Sequence, residues 1–418
     1  MSKIAFIQPK VGFEGGHTWE ALGIGYLVSA LKEAFPGQHT YDFFSGFYDN
    51  DSVIIEGCKD ADIIGFSCTS PQYKHALDLA TRLKSLNPEI ITVFGGIHPT
   101  VMHPQLFKER AIDWVVEGEG EASIIEIVAS FNKTGGPKYI RSSSIENLND
   151  LPFPDRTVIK QERNIYQAYL DEGRRVASVL SSRGCPFTCT FCASKALWGQ
   201  RVRYRSPGNI LREMVDLIAD LQIDFIKFSD DTFTVNHERL LQFCSFKKAG
   251  LLKDFPFGAN ANISTMDPFI LTELANAGCK ELWFGIESGS LKILQEMDKR
   301  VNFTQAKRTF SKCSELGIKT RAYFLLGMPG ETYEDIKLTE NLAEILMPDS
   351  IGFSLLAPFP GNKYYDPVLM QDWDWSTFDE YGNTWVKTPS LSNQELKSEQ
   401  ARLVKKFKPN IVFRQKDL

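Results

Sequence analysis

No apolar run in this 418-residue chain approaches the roughly 20 residues that a membrane span requires. The opening MSKIAFIQPK enters a strand pattern directly, without the apolar core of a secretory signal, so a cytoplasmic protein with no membrane span is expected. Positive excess is missing as well. Lys and Arg number 47 against 52 Asp and Glu, a formal charge of -5, which leaves no basic footprint for nucleic acid or an anionic membrane. Disulfide logic is also lacking: Cys58, Cys68, Cys244, Cys279 and Cys313 are scattered without pairing, which suits buried thiols in a reducing compartment. What is left, at 43% hydrophobic and 24% charged residues, is a globular chain long enough for two or three domains.

The other three cysteines behave differently. Cys185, Cys189 and Cys192 sit in a CxxxCxxC spacing within SSRGCPFTCTFCASKALWG. A structural zinc site normally takes a fourth Cys or His at finger spacing, and no His lies near this loop. A [4Fe–4S] cluster normally takes four cysteines, so a local set of three leaves one iron open to another ligand. The flanks place the loop. VASVLSS is a β-branched apolar strand and RGCP turns the chain sharply, so the cysteines leave the carboxyl end of a strand, where βα architectures build their sites.

From about 173 to 357 strand and helix patterns alternate. VASVLSS, DFIKFSD, FGANANI, KELWFGIES, IKTRAYFLLG and DSIGFSLL read as six parallel strands, with helices such as SPGNILREMVDLIADL opened by Ser206 and Pro207. Six strands with returning helices predict a partial (βα)6 barrel. Its strand ends carry Asp230 and Asp231, Asn260 and Asn262, then Glu287 and Ser288, with Arg321 inside the fifth strand. Polar groups repeated at those ends are poor core residues, since unpaired burial costs about 1–3 kcal/mol each. They suit a ligand with amine, carboxylate and hydroxyl groups, although Asp231 reads equally well as a helix cap.

Residues 1 to 130 form an earlier unit. KIAFIQP, HTYDFF, ADIIGFSC, EIITVFGG and DWVVEGEG read as five short strands separated by amphipathic helices, a flavodoxin-like doubly wound parallel sheet. In that fold ligands sit outside the carboxyl ends of the strands. Those ends carry Gly12, Gly15 and Gly16, Ser67 and Thr69, Gly95 and Gly96, and Gly118 to Glu121. Residues 131–172, rich in Gly, Ser, Asn and Pro, read as a linker whose LPFPD packs against the next domain. Residues 358–418 read as a C-terminal extension. Trp373, Trp375 and Trp385 are expected to plug a barrel end or touch substrate, and Lys405, Lys406 and Lys408 to form a solvated face.

RGCPFTCTFC resembles the cluster loop of radical S-adenosylmethionine (SAM) enzymes, and Phe191 before the last cysteine fits that pattern. GFSCTS, the stretch around PEIxxVxGGIHPT, and DWVVEGEGE together resemble the cobalamin-binding domain found upstream of the radical domain in B12-dependent members. The resemblance implies that Cys185, Cys189 and Cys192 hold a [4Fe–4S] cluster whose open iron is chelated by SAM. It implies SAM contacts at Phe191, Asp230 (the methionyl amine), Asn262, Glu287, Ser288 and Arg321 (the carboxylate), and a corrinoid lined by Ser67, Thr69, Gly95, Gly96, Gly118 and Glu119. Two departures stand out. No Asp-x-His-x-x-Gly run supplies a cobalt ligand, so none of that type is expected, and His17 and His98, on loops at that end of the sheet, read more readily as solvated or hydrogen-bonded residues than as cobalt ligands. Where many relatives have an Arg after the third strand, this chain has Asn262 followed by Ile263, Ser264 and Thr265.

The implied activity is reductive cleavage of SAM to a 5′-deoxyadenosyl radical, then methylation of an unactivated carbon, or phosphorus, of a small metabolite through methylcobalamin. A flavodoxin- or ferredoxin-type electron donor is implied. Related chemistries are a non-methylating rearrangement or cyclisation, a methylthiotransferase, and a non-catalytic corrinoid or redox sensor. The methylthiotransferase pattern needs three further N-terminal cysteines and an RNA-binding tail, and an intact cysteine triad argues against a pure sensor.

Overall fold

The computed structural model describes residues 1–11, 20–130, 139–370, 373–378 and 383–410. The chain divides into two compact units. The first comprises residues 1–164, 193–199 and 359–378, the second 165–192, 200–358 and 379–418. Among the described residues no helix is long and apolar enough to cross a membrane.

The first unit contains β1 (Ser2–Gln8), α1 (Leu22–Ala34), β2 (His39–Ser45), α2 (Asp51–Cys58), β3 (Ile63–Ser67), α3 (Ser70–Leu86), β4 (Ile91–Gly95), α4 (Ile97–Leu106), β5 (Trp114–Glu117), α5 (Gly120–Ala129) and β6 (Tyr139–Arg141). The strands pair in parallel in the order β2-β1-β3-β4-β5-β6, which puts the reversal of strand order between β1 and β3. Both faces are buried, as the near-continuous apolar strands demand. Ile4, Phe6, Ile63, Val93 and Val116 pack beneath α1 and α5, while Ala5, Ile7, Ile64, Phe66 and Phe94 face α2, α3 and α4. Five strands were expected here. The sixth, β6, is three residues of the stretch read as a linker, too short to show periodicity.

That linker reading is corrected more widely. Leu148 and Ile159 are buried, Ser29 Oγ donates to Phe153 O at 2.7 Å, and Asp155 N donates to Gly25 O at 3.0 Å. LPFPD therefore packs on α1 of its own unit, where Gly25 makes room: a Cβ there would lie 2.9 Å from Pro154 Cβ. The C-terminal extension is divided likewise. Trp373, Trp375, Phe378 and Phe359 form an aromatic cluster within residues 359–378 of the first unit, with Lys74 of α3 paired to Asp374 at 2.5 Å. Trp373 and Trp375 thus pack among aromatic residues of the first unit, and Trp385 is exposed.

The second unit, with α7 (Ser194–Trp198) assigned to the first, runs α6 (Glu162–Glu172), β7 (Val176–Val179), β8 (Ser182–Arg183), β9 (Arg203–Tyr204), α8 (Pro207–Leu221), β10 (Phe225–Phe228), α9 (His237–Ala249), β11 (Phe257–Ala261), α10 (Pro268–Asn276), β12 (Cys279–Glu287), α11 (Leu291–Glu296), α12 (Phe303–Glu315), β13 (Lys319–Leu326), α13 (Tyr333–Leu346), β14 (Ser350–Leu355) and α14 (Asn393–Lys406). Six parallel strands in the order β14-β13-β12-β11-β10-β7 make the partial (βα)6 barrel. Its two faces differ. Phe228, Phe257, Phe284, Phe324 and Phe353 are fully buried on the helix-covered face. The register places Lys227, Asn260, Glu281, Trp283, Arg321 and Tyr323 on the other. Lys406 is not simply solvated: with Arg402 at 3.0 Å and Lys337 at 3.1 Å it pairs with buried Glu340, fastening α14 to α13.

Candidate functional site

The cysteine loop starts where β7 ends. Ser182–Arg183 pairs antiparallel with Arg203–Tyr204, so a two-residue ribbon closes the base of residues 184–202. Gly184 has φ 104°, and a Cβ there would meet Arg201 O at 2.5 Å, which accounts for glycine before Cys185. The loop is stapled to the turn after α11: Thr190 N donates to Met297 O at 3.0 Å, Thr190 Oγ1 to Glu296 O at 3.1 Å, and Thr188 Oγ1 bonds Asp298. Cys192 N donates to Cys189 O at 3.2 Å, and Thr232 Oγ1 lies 4.0 Å from Cys185 Sγ.

All three cysteines are half-buried and none is in a disulfide. Burial pushes the Cys185 thiol up and Cys189 to about 11, where it is close enough to feel the charge of Lys299, Glu287, Cys192 and Cys185. Among the described residues no three His, Cys, Asp or Glu side chains are gathered as they would be around a single metal ion. Three thiols on one short loop fixed at its base and flank, with Cys189 feeling the charge of both Cys185 and Cys192, fit a cluster that would be held by deprotonated sulfur. By contrast Cys58 and Cys68 lie in the apolar core, Cys58 pushed to about 12 by burial, and offer no second cluster site.

A side chain that the sequence did not single out stands beside the thiols. Lys299 Nζ is 2.7 Å from Glu287 Oε1 and 5.8 Å from the centre of the Phe191 ring. Burial works against its charge, but Glu287 and the thiols of Cys189 and Cys192 outweigh burial and raise its pKa. Glu287 adopts φ 67° at the bulge ending β12, and Gly285 leaves the space: a Cβ there would come 2.3 Å from Glu287 Oε1 and 2.8 Å from Lys299 Nζ. Cys185, Cys189, Cys192, Phe191 and Glu287 are thereby brought together.

Other expected SAM contacts are not. Asp230 is fully buried, and its oxygens accept Ser181 N at 2.6 Å, Ser181 Oγ at 2.5 Å and Ser182 Oγ at 2.7 Å. Its carboxylate is committed to the base of the loop rather than open to an amine. Asn262 caps a short helical turn through Ser264 N at 2.9 Å. Ser288 is buried against Thr339 Oγ1 at 3.2 Å and Ser290 N at 3.1 Å. Arg321 sits near the start of β13, in register with Trp283, bonded to Ser350 Oγ at 2.9 Å. Four residues of β12, about 13 Å of strand, separate that level from Glu287.

In the first unit the carboxyl ends of β3, β4 and β5 are tied together. Cys68 N donates to Gly95 O at 3.0 Å, Thr100 Oγ1 to Gly96 O at 2.8 Å, and Gly118 N to Thr100 Oγ1 at 3.0 Å. Gly96 has φ 99° and a Cβ there would strike Cys68 O at 2.8 Å, whereas at Gly95 nothing lies closer than 4.0 Å. Ser67, Gly95, Gly96 and Gly118 thus form a side-chain-poor ledge that fits the close approach of a bulky ligand, with buried Glu119 opening α5. Thr69 is occupied with Gln72 Oε1, at 2.9 Å from its N and 3.0 Å from its Oγ1. His98, expected on a loop, is in the first turn of α4, buried, 2.9 Å from Ser70 Oγ and stacked on Tyr73 at 4.3 Å. Burial lowers its pKa to about 3. The stretch from Gly12 to Trp19, including Gly15, Gly16 and His17, lies outside the described residues.

Comparison with known proteins agrees with this division. The B12 binding domain model matches residues 10–128 and the radical SAM superfamily model residues 179–343. An uncharacterized methyltransferase of Pyrococcus horikoshii is 28% identical over 375 residues, covering 85% of this chain and 79% of the relative. The anaerobic magnesium-protoporphyrin IX monomethyl ester cyclase of Rubrivivax gelatinosus is 28% identical over 399 residues, covering 88% and 70%. The structure of the radical SAM methyltransferase TsrM from Kitasatospora setae superimposes with a TM-score of 0.71 at 18% identity, covering 89% of this chain and 76% of that one. With a B12-binding domain followed by a radical SAM barrel that carries three cysteines on one loop, the chain belongs to the cobalamin-dependent radical SAM enzymes, whose cofactors are a [4Fe–4S] cluster, SAM and cobalamin.

Proposed function

We propose that the protein methylates a carbon, or a phosphorus, of a small metabolite. The observation that carries this reading is the presence, in one chain, of a glycine-lined B12 ledge and a three-thiol loop beside a polar-walled barrel. When bound, the cluster and SAM supply radical abstraction of hydrogen, and cobalamin supplies methyl transfer.

The chain's own residues have the remaining tasks. Cys185, Cys189 and Cys192 would hold the cluster and, being three, leave one iron for a ligand from outside the protein. Lys299 and Glu287 place a cation and an anion next to the thiols, and a zwitterionic amino-acid end such as that of SAM is matched by such a pair. Phe191 supplies an apolar wall. Ser67, Gly95, Gly96, Gly118 and Glu119 would line the corrinoid. The polar inner face around Lys227, Asn260, Trp283 and Tyr323 supports a small polar substrate held inside the barrel, with Gly258 admitting the indole: a Cβ there would lie 3.1 Å from Trp283 Cη2. An external low-potential carrier of the flavodoxin or ferredoxin type would supply electrons.

The test is anaerobic incubation of the reconstituted protein with methyl-labelled SAM, a strong reductant and small-molecule extract. Formation of 5′-deoxyadenosine together with label in an extract component supports methylation. 5′-Deoxyadenosine with an altered but unlabelled component favours the cyclisation or rearrangement reading, which the similarity to the cyclase keeps in play. No 5′-deoxyadenosine under any condition removes the catalytic assignment.

A further inference from the structure

The ribbon that closes the cysteine loop has two residues on each side, too few to hold itself. A buried set of charged side chains holds it instead. Asp230, at the end of β10, grips the entering strand through Ser181 N, Ser181 Oγ and Ser182 Oγ at 2.5–2.7 Å. Arg239, on α9, spans both ends: its Nη2 donates to Ser181 O at 3.0 Å and Ser181 Oγ at 2.6 Å, and its Nε to Arg205 O at 3.0 Å. Arg205, in the exit, sends its N to Ser181 O at 3.0 Å, its Nη1 to Leu180 O at 3.0 Å and Glu213 at 2.5 Å, and its Nε to Asn209 Oδ1 at 2.6 Å. Asp230 is 0% exposed, Ser181 0%, Glu213 2%, Arg205 4% and Arg239 7%.

Two cations and two anions buried this deeply persist only when paired and fully hydrogen-bonded, and a strand and its turn could be held by apolar packing alone. The bonds go to the backbone and hydroxyls at positions 180–182 and 205, the two ends of the segment that carries all three cysteines.

We infer that Asp230 and Arg239 are positioning residues that fix the cysteine loop in its binding conformation before any cofactor arrives. The inference rests on the proposed role of the loop in holding a cluster. Cluster assembly then meets a preformed set of thiols, and losing either side chain loosens the loop while the barrel core stays folded.

The test uses the iron-free full chain under anaerobic conditions, with N-ethylmaleimide as probe and peptide mass spectrometry to read each cysteine. In Asp230→Ala and Arg239→Lys, labelling of Cys185, Cys189 and Cys192 is expected to rise at least about tenfold over wild type, because loosening exposes half-buried thiols. Core Cys58 and Cys279 stay as unreactive as before, and iron taken up on reconstitution is lost to a chelator correspondingly faster. Glu340→Gln, which breaks the distant α13–α14 clamp, changes neither readout. Loop-thiol labelling within twofold of wild type in folded variants overturns the inference, as does a parallel rise at Cys58 and Cys279, which would mean global unfolding. If Asp230→Ala does not fold, Asp230→Asn and Arg239→Lys decide by the same criteria. A wild-type chain that takes up no iron, yet shows the labelling contrast, removes the cluster reading and leaves the positioning role standing.

Discussion

Removing Lys299 tests the electrostatics of the site. Its ammonium and the Glu287 carboxylate are 2.7 Å apart, each side chain 11% exposed, in a space that Gly285 keeps open. Lys299→Met leaves Glu287 buried and uncompensated beside Cys189. Breaking one side of such a pair costs about 3–5 kcal/mol, whereas replacing both sides costs less. Lys299 has its pKa raised, so its contribution is fully present below the unfolded value near 10.5 and is lost only as pH rises through the folded value; pH 7 therefore reads the intact pair. For a domain of 150–250 residues each kcal/mol is about 2–4 °C, so the melting temperature of cofactor-free protein should fall by about 6–20 °C. Urea unfolding of Lys299→Met, Glu287→Gln and the double variant forms a cycle, and a coupling of at least about 1 kcal/mol is expected. Single variants that each cost under about 0.5 kcal/mol and add without coupling would refute the reasoning.

Three further outcomes follow from the geometry. Glu340 is held at a pKa of about 2: burial raises it, but hydrogen bonds from Arg402, Lys406 and Lys337 prevail. Its stabilisation, about 1–3 kcal/mol after allowing for solvent at the exposed partners, is present above pH 4.5 and disappears as pH falls toward 2; melting curves of Glu340→Gln should be flatter in that window. His98 resists protonation down to about pH 3 while the unfolded chain takes a proton near 6.5, so folding loses stability on acidification, about 3 kcal/mol by pH 4. His98→Gln should abolish that slope and leave the spectrum of bound corrinoid unchanged; a changed spectrum would make His98 a cobalt ligand. Gly96→Ala, at φ 99° with Cys68 O 2.8 Å from the new Cβ, should cost about 1–3 kcal/mol and weaken corrinoid binding, read by calorimetry and spectral titration.

Much of this was legible because it is local. Apolar strands bounded by glycine located eleven of the twelve strands in the two six-stranded sheets, and the cysteine spacing located the loop. What stayed hidden depends on contacts distant in sequence. Lys299 lies in a polar turn with no periodic signal, twelve residues after Glu287, and only the fold brings it to the thiols. Asp230 was visible as a polar strand end, but that it faces Ser181 and Arg239 rather than a ligand follows from pairing 49 residues apart. Arg321 reads as lying inside the fifth strand, as it does, but that its register sets it beside Trp283, far from the carboxyl ends of the strands, is something composition does not show. The aromatic residues after 358 have no amphipathic period to say which unit they cover.

Cofactor content after anaerobic reconstitution with iron, sulfide and hydroxocobalamin tests the central claim most directly. Desalted wild type should carry about four irons with matching acid-labile sulfide and about one corrinoid per chain, and Cys189→Ala should lose the iron but keep the corrinoid. Iron without corrinoid would contradict the role assigned to the glycine ledge, and iron unaffected by Cys189→Ala would contradict the role assigned to the loop.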